Sequence, residues 1–168
     1  MVSTDSGRGN RSFLMRTFNF QTELWLPRAR ADVFKFFADA ANLEVITPGW
    51  VRFEILTAQP VRMQPGTLID YRIRVRGIPF RWRTEIQEWK PPYRFIDVQL
   101  HGPYRLWHHT HCFEERDGGT LCSDHVRYRS RGGALINWLF VRRDVERIFA
   151  YRAQRLRVLF PAQSTDAD

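Results

Sequence analysis

The spacing of apolar residues changes period twice along this chain, and that double switch restricts the fold more than any other feature. Val33, Phe36, Phe37, Ala40 and Leu43 recur at helical spacing. The period then falls to two. Val51, Phe53 and Ile55 alternate with polar partners, as do Ile69, Tyr71, Ile73 and Val75, and then Phe80, Trp82, Thr84 and Ile86. Turn signals divide these runs at Gln64-Pro65-Gly66, Gly77-Ile78-Pro79, Pro91-Pro92, Gly102-Pro103 and Asp117-Gly118-Gly119. After Gly132-Gly133 the helical period returns: Leu135, Trp138, Val141, Val145, Ile148, Phe149, Arg152, Leu156 and Leu159 form one stripe, with charges opposite.

This pattern predicts an α+β chain. A first strand runs from Arg16 to Leu26 and is closed by Pro27. Two short helices come next, with a break near Asp39, and the second ends at Pro48 because the residue before proline is pushed out of the helical region. Six strands in an antiparallel meander come after them, then a single long helix that Pro161 ends. The expected sheet has about seven strands and curves round the last helix. One stripe of side chains does not fill such a sheet, so a cavity is expected between them. The boundaries read as a disordered leader over 1–15, with Met15 an alternative start, one domain over 16–160 and a frayed tail over 161–168.

Charge narrows the partners. The chain carries a formal charge of +8, and 26 of its residues are Lys or Arg, all of them arginine except Lys35 and Lys90. Arg72, Arg74, Arg76, Arg81 and Arg83, and again Arg127, Arg129 and Arg131, are spaced by two within each run, which sets them on the outer face of strands. No helix-turn-helix, zinc-finger or RNP signature accompanies them, so the stripes read as a solvated face and no nucleic-acid partner is expected. The apolar run from Ala134 to Val141 is too short for a membrane span, and Met1 to Asn10 has no apolar signal core. The expectation is a soluble, cytoplasmic monomer or homodimer with no stable membrane insertion. Cys112 and Cys122 are too few for a disulfide framework and read as free thiols. Phosphate loops, dinucleotide fingerprints and G-x-S-x-G are absent, so no cofactor is expected.

Four stretches carry a family resemblance: V-F-K-F-F-A-D-A-A-N-L-E-V-I-T-P at 33–48, P-F-R-W-R at 79–83, F-I-D-V-Q-L-H-G-P-Y-R-L-W-H-H-T-H-C-F at 95–113 and I-F-A-Y-R at 148–152. With the element order, they resemble the START-like helix-grip superfamily (SRPBCC, polyketide cyclase/dehydrase and lipid transport), more closely its bacterial ligand-binding branch. The resemblance spans 16–160. It implies a helix-grip fold and a cavity for a small, largely apolar molecule, but no particular reaction, because relatives include carriers, sensors and cyclases.

Chemistry concentrates between Tyr93 and Glu115. Periodicity alone turns Ile96, Val98 and Leu100 inward, whereas the resemblance singles out Phe95, Asp97, Gln99, Trp107, His109 and His111. A three-residue loop at Gly102 sets Asp97 opposite His109 and Gln99 opposite Trp107; a two-residue loop reverses the grouping. Proline at the second loop position disfavours the tight hairpin turns, so the longer loop is expected. Asp97, Gln99, His109 and His111 then form a polar patch beside Trp107.

Four readings of the patch stand open. His-x-His on a strand points both imidazoles to one side, as a metal site requires, but no third ligand is fixed by the sequence and no metal is assigned. An Asp97–His109 pair suits an acid–base shuttle for cyclisation or dehydration. The same groups suit orientation of a ligand's carbonyl or hydroxyl, or a structural hydrogen-bond network. Tyr71, Trp82, Tyr128 and Trp138 fall on apolar stripes and are expected to line the cavity, with Trp50 at its mouth. Arg152 interrupts the stripe of the last helix; it either snorkels outward or, if buried, needs a partner, an inward acid such as Asp124 or an anionic ligand group. The reading adopted is binding of a small apolar molecule, with a cyclase or dehydratase using His109 and Asp97 as the alternative.

Overall fold

The structure is a computed structural model and describes residues 16–162, so the leader over 1–15 and positions 163–168 of the tail lie outside the described residues. Strand β1 (Phe18–Leu26) is followed by helices α1 (Arg30–Phe37) and α2 (Asn42–Val45) and a 3₁₀ turn at Gly49–Val51. Then come β2 (Glu54–Ile55), β3 (Leu68–Val75), β4 (Ile78–Lys90), β5 (Arg94–His101), β6 (Tyr104–Arg116) and β7 (Gly119–Ser130). The seven strands form one antiparallel sheet in the order β1-β7-β6-β5-β4-β3-β2. Pairing of β1 with β7 brings the first strand beside the last. The chain then enters helix α3 (Gly133–Ile136), a π turn at Asn137–Val141 and helix α4 (Arg142–Leu159). This is the helix-grip arrangement that the element order and the resemblance imply.

The expected strand at 51–55 is reduced to two residues. Pro48 precedes a 3₁₀ turn, and Arg52 turns left-handed with φ 45°, which ends that turn before the chain extends. Two hairpins need positive φ at both central residues: Arg76-Gly77 (50° and 84°) and Asp117-Gly118 (50° and 72°). The first moves the β3–β4 turn one residue earlier than the Gly77-Ile78-Pro79 signal suggests. Arg76 therefore leaves the strand face.

Apolar packing closes one end of the grip. Phe34 of α1 meets Trp89, Phe95 and Phe113 of the sheet at centroid distances of 5.1, 6.1 and 5.3 Å. Leu156 of α4 is buried in the same cluster. A second cluster joins Val126 and Tyr128 of β7 to Val145 and Phe149 of α4. Between these clusters the helix stands off the sheet.

The long helix is not one unbroken stripe. Val145, Phe149 and Leu156 are buried as the 3.6 period requires, but Leu135 and Trp138 are 60% and 67% exposed. A π turn takes one residue more than an α turn, so it rotates the preceding residues by about 100° relative to α4. The upstream stripe thus points to solvent.

The arginines of the outer face are exposed, as their spacing implies, except Arg129, which is half-buried. Several find acids: Arg72 with Glu54 at 2.9 Å and Arg83 with Asp70 at 2.7 Å. Asp70 is held below the usual carboxylate range, chiefly by its hydrogen bond from Arg83. Among the described residues no helix is long and apolar enough to cross a membrane.

Candidate functional site

A cavity of about 530 Å³ lies between the concave side of the sheet and α4. Its walls are mostly apolar. Phe37, Ile69, Ile73, Trp82, Trp107 and Ile148 contribute, and polar groups gather at Asp97, His109, His111 and Arg152. Half-exposed Trp50 lies at the mouth, its ring edge-on to Tyr151 at 5.7 Å, with the Arg147 guanidinium 5.2 Å from its centroid. Across the mouth, Arg76 of the β3–β4 turn donates two hydrogen bonds to Asp144 of α4, at 2.9 and 3.0 Å.

The β5–β6 register settles which side chains face inward. Asp97 stands opposite His109 and Phe95 opposite His111. This is the register of the longer loop, and it directs Asp97, His109 and His111 to the cavity. Ile96 and Val98 lie on the other face with Leu100, which is 54% exposed. Periodicity of apolar residues misreads this strand because its outer face carries the aliphatic side chains.

Asp124 completes the polar cluster, a role the sequence did not suggest beyond a pairing with Arg152. It enters from β7, where it stands opposite His111. His109 Nε2 donates to Asp124 Oδ1 at 2.8 Å, and His111 Nε2 donates to Asp97 Oδ2 at 2.9 Å. The expected Asp97–His109 pair is therefore corrected: their closest approach, His109 Nδ1 to Asp97 Oδ2, is 3.5 Å. Each carboxylate bonds the imidazole diagonal to it, and the two rings lie with centroids 3.7 Å apart, tilted 39° to one another. His111 Nδ1 also lies 2.9 Å from Asp124 Oδ1, out of line for an N–H hydrogen bond. Aromatic packing fixes both rings. Phe95 stacks on His111 at 4.0 Å, and Phe149 meets His109 edge-on at 5.5 Å.

The electrostatics arise from burial and mutual contact. Burial alone favours neutral carboxyls, but the nearby histidines outweigh it and hold Asp97 and Asp124 below the usual carboxylate range. His109 is pushed down, first by burial and then by the charge of His111. His111 is raised despite burial, because its contacts with Asp124 and Asp97 prevail.

The remaining candidates divide. Tyr71 and Trp82 lie on the wall, and both hydrogen-bond Thr84 Oγ1, at 2.7 and 2.9 Å. Trp107 borders the same space and meets Trp82 edge-on at 5.4 Å. Gln99 does not reach the cavity, since its amide is consumed by the backbone of Tyr104, donating to the carbonyl at 2.8 Å and accepting from the amide at 3.2 Å. Tyr128 is buried behind Trp107 in the core cluster. Trp138 is turned outward by the π turn, away from the main cavity.

Arg152 lines the cavity, its guanidinium 4.9 Å from the Phe149 ring centroid. The expected pairing with Asp124 does not form, because the two histidines occupy that carboxylate. Arg152 Nε is buried without a hydrogen-bond partner. Neither cysteine is an activated thiol: burial raises Cys112, and pushes Cys122 up to about 12.

Comparison with known proteins agrees with this architecture. No curated protein matches the chain. Among solved structures, protein CV1439 from Chromobacterium violaceum superposes with a TM-score of 0.68 at 12% identity, covering 84% of this chain and 96% of that one. Protein Ms6760 from Mycobacterium smegmatis gives 0.62 at 18% identity, covering 90% and 93%. A nucleoside-diphosphate sugar epimerase from Corynebacterium glutamicum gives 0.62 at 23% identity; the match covers 82% of this chain and 28% of that enzyme. These likenesses show a shared fold. The family model described as polyketide cyclase / dehydrase and lipid transport matches residues 26–150, and the chain belongs to that family.

Proposed function

We infer that this protein binds a small, largely apolar molecule between the sheet and α4, with one polar end of the ligand turned toward Asp97, His109, His111 and Arg152. The observation that carries this reading is the distribution of chemistry in the cavity: aliphatic and aromatic walls, with these polar groups gathered from two neighbouring strands and one helix. A volume of about 530 Å³ suits a molecule of drug or metabolite size. Native mass spectrometry of the full chain, with and without an added neutral apolar dye, tests it. A one-to-one complex supports the reading, and failure of the dye to bind at any concentration short of its solubility opposes it.

The enzymatic alternative, a cyclase or dehydratase, rests on the His109–Asp124 hydrogen bond of 2.8 Å at the cavity wall. In this form His109 remains the proton shuttle, but Asp124 rather than Asp97 orients its ring. Asp124→Asn would then lower turnover of a polyketide-like substrate while leaving its binding within a few-fold, and pure binding would show no turnover to lose.

A further inference from the structure

We propose that Asp97, His109 and His111 form a binding site for one divalent transition-metal ion, with Asp124 as the outer carboxylate that orients both imidazoles. The inference concerns this polar cluster alone and does not depend on what occupies the apolar part of the cavity.

The geometry separates the four residues into an inner and an outer set. One donor atom from each of Asp97, His109 and His111 lies within 4.8 Å of the other two. Asp97 Oδ2 is 2.9 Å from His111 Nε2 and 3.5 Å from His109 Nδ1. Two ligand atoms about 2.1 Å from a metal are separated by about 3.0 Å at a right angle and about 3.4 Å at the tetrahedral angle. The two spacings from Asp97 are close to those values. On the opposite side, Asp124 Oδ1 touches the other nitrogen of each ring, His109 Nε2 at 2.8 Å and His111 Nδ1 at 2.9 Å. A carboxylate behind each metal-bound imidazole is the usual outer-shell arrangement, because it fixes the tautomer and the ring plane.

Without a cation the cluster leaves groups unsatisfied. His109 donates through Nε2 to Asp124, so in its neutral form Nδ1 presents a lone pair to the Asp97 carboxylate, acceptor facing acceptor. Charging both imidazoles would remove that conflict, but their ring centroids are 3.7 Å apart and two positive charges would repel. His111 is 5% exposed, and its Nδ1 has no hydrogen bond. A metal ion on the Asp97 side removes the conflict at His109. It takes the place of the proton that His111 Nε2 shares with Asp97 and accepts the His109 lone pair, leaving the His111 N–H on Nδ1, which a small turn of the ring would bring into line with Asp124 Oδ1, 2.9 Å away. Remaining coordination positions would face the cavity, as in sites built from two histidines and one carboxylate. The nitrogen and oxygen donors suit zinc, iron(II) or cobalt(II) rather than magnesium or calcium.

The experiment uses the full chain freed of metal by chelation, and titrates it with Co²⁺ alone in the absence of any organic ligand. One Co²⁺ per chain, with visible d–d absorption displaced by one equivalent of Zn²⁺, is the expected result. His109→Ala and His111→Ala should each abolish the band. Asp124→Asn should keep the one-to-one stoichiometry and weaken affinity by roughly 10–100-fold. Absence of stoichiometric binding to the wild type would overturn the proposal without recourse to any variant. Binding that persists in the double variant His109→Ala/His111→Ala would place the metal elsewhere and overturn it equally. Dye binding by the wild-type cavity is read separately, so failure of the metal site and failure of the ligand-binding reading are distinguishable.

Discussion

Asp97 stands directly across the β5–β6 ladder from His109, yet its carboxylate accepts a hydrogen bond from His111, one position further along the same face. Asp124 does the reverse from the other side, opposite His111 in register but bonded to His109. The two tilted rings, 3.7 Å apart, each turn Nε2 to the diagonal acid.

Selective substitution should expose that crossing. In the metal-free protein, Asp124→Asn should change the side-chain ¹⁵N shifts of His109 most strongly, and Asp97→Asn those of His111. Long-range ¹H–¹⁵N correlation spectra read this directly. The opposite assignment would mean that the acids pair straight across the ladder.

How much of this arrangement the sequence discloses depends on which force decides each element. The strands over 68–130 and the helix beyond Arg142 are legible because burial on one face imposes a period. The π turn is not legible, since nothing in Asn137-Trp138-Leu139-Phe140-Val141 departs from an ordinary helical stripe, and the period alone turns Trp138 inward. At the site, the loop at Gly102 supplies the β5–β6 register, which places Asp97 and the two histidines together. Asp124 escapes notice as a cluster member because its neighbour relation to His111 depends on the β6–β7 register across a separate turn. The only available signal is an acid on the inward-facing parity of β7, alternating with Cys122 and Val126.

Phe34 anchors the closed end of the grip. It is 4% exposed and packs on Trp89, Phe95 and Phe113. Phe34→Ala should destabilise the protein by about 3–5 kcal/mol, from lost transfer free energy plus the void left behind. Urea unfolding measures it; a loss below about 1 kcal/mol would indicate that the aromatic cluster collapses to fill the space.

Arg76 and Asp144 join the β3–β4 turn to α4 at the cavity mouth with two hydrogen bonds. With Arg76 half-exposed, the pair adds little to stability. Its effect should appear in kinetics. Arg76→Ala should speed dye release in stopped-flow displacement severalfold while moving Tm by little. An unchanged off-rate would mean that the ligand enters elsewhere.

Acid should destabilise the metal-free protein through the two buried carboxylates. Both are depressed in the folded state, so their contribution is present above the ordinary carboxylate value of about 3.9 and is lost as pH falls through the lower folded values. Around the ordinary histidine value of about 6.5 the two imidazoles oppose one another. Depressed His109 costs stability as pH falls through that value, whereas raised His111 loses its contribution as pH rises through its higher folded value. Urea midpoints against pH should therefore be highest near about pH 6.5, ease off on either side of it and drop further below about pH 4. Asp97→Asn/Asp124→Asn should flatten the acid limb; an unchanged limb would assign acid sensitivity to other groups.

Occupancy of the cavity is the central claim, and fluorescence titration with a neutral apolar dye tests it most directly when paired with a variant that fills the space. Ile148 of α4 lines the cavity and is only partly buried, so a larger side chain there projects into the void rather than into a packed core. The wild type should bind one dye per chain, and Ile148→Trp should weaken binding at least about tenfold, equivalent to about 1.4 kcal/mol, with its circular dichroism unchanged. Equal affinity in the two proteins would place the dye outside the cavity and contradict the account.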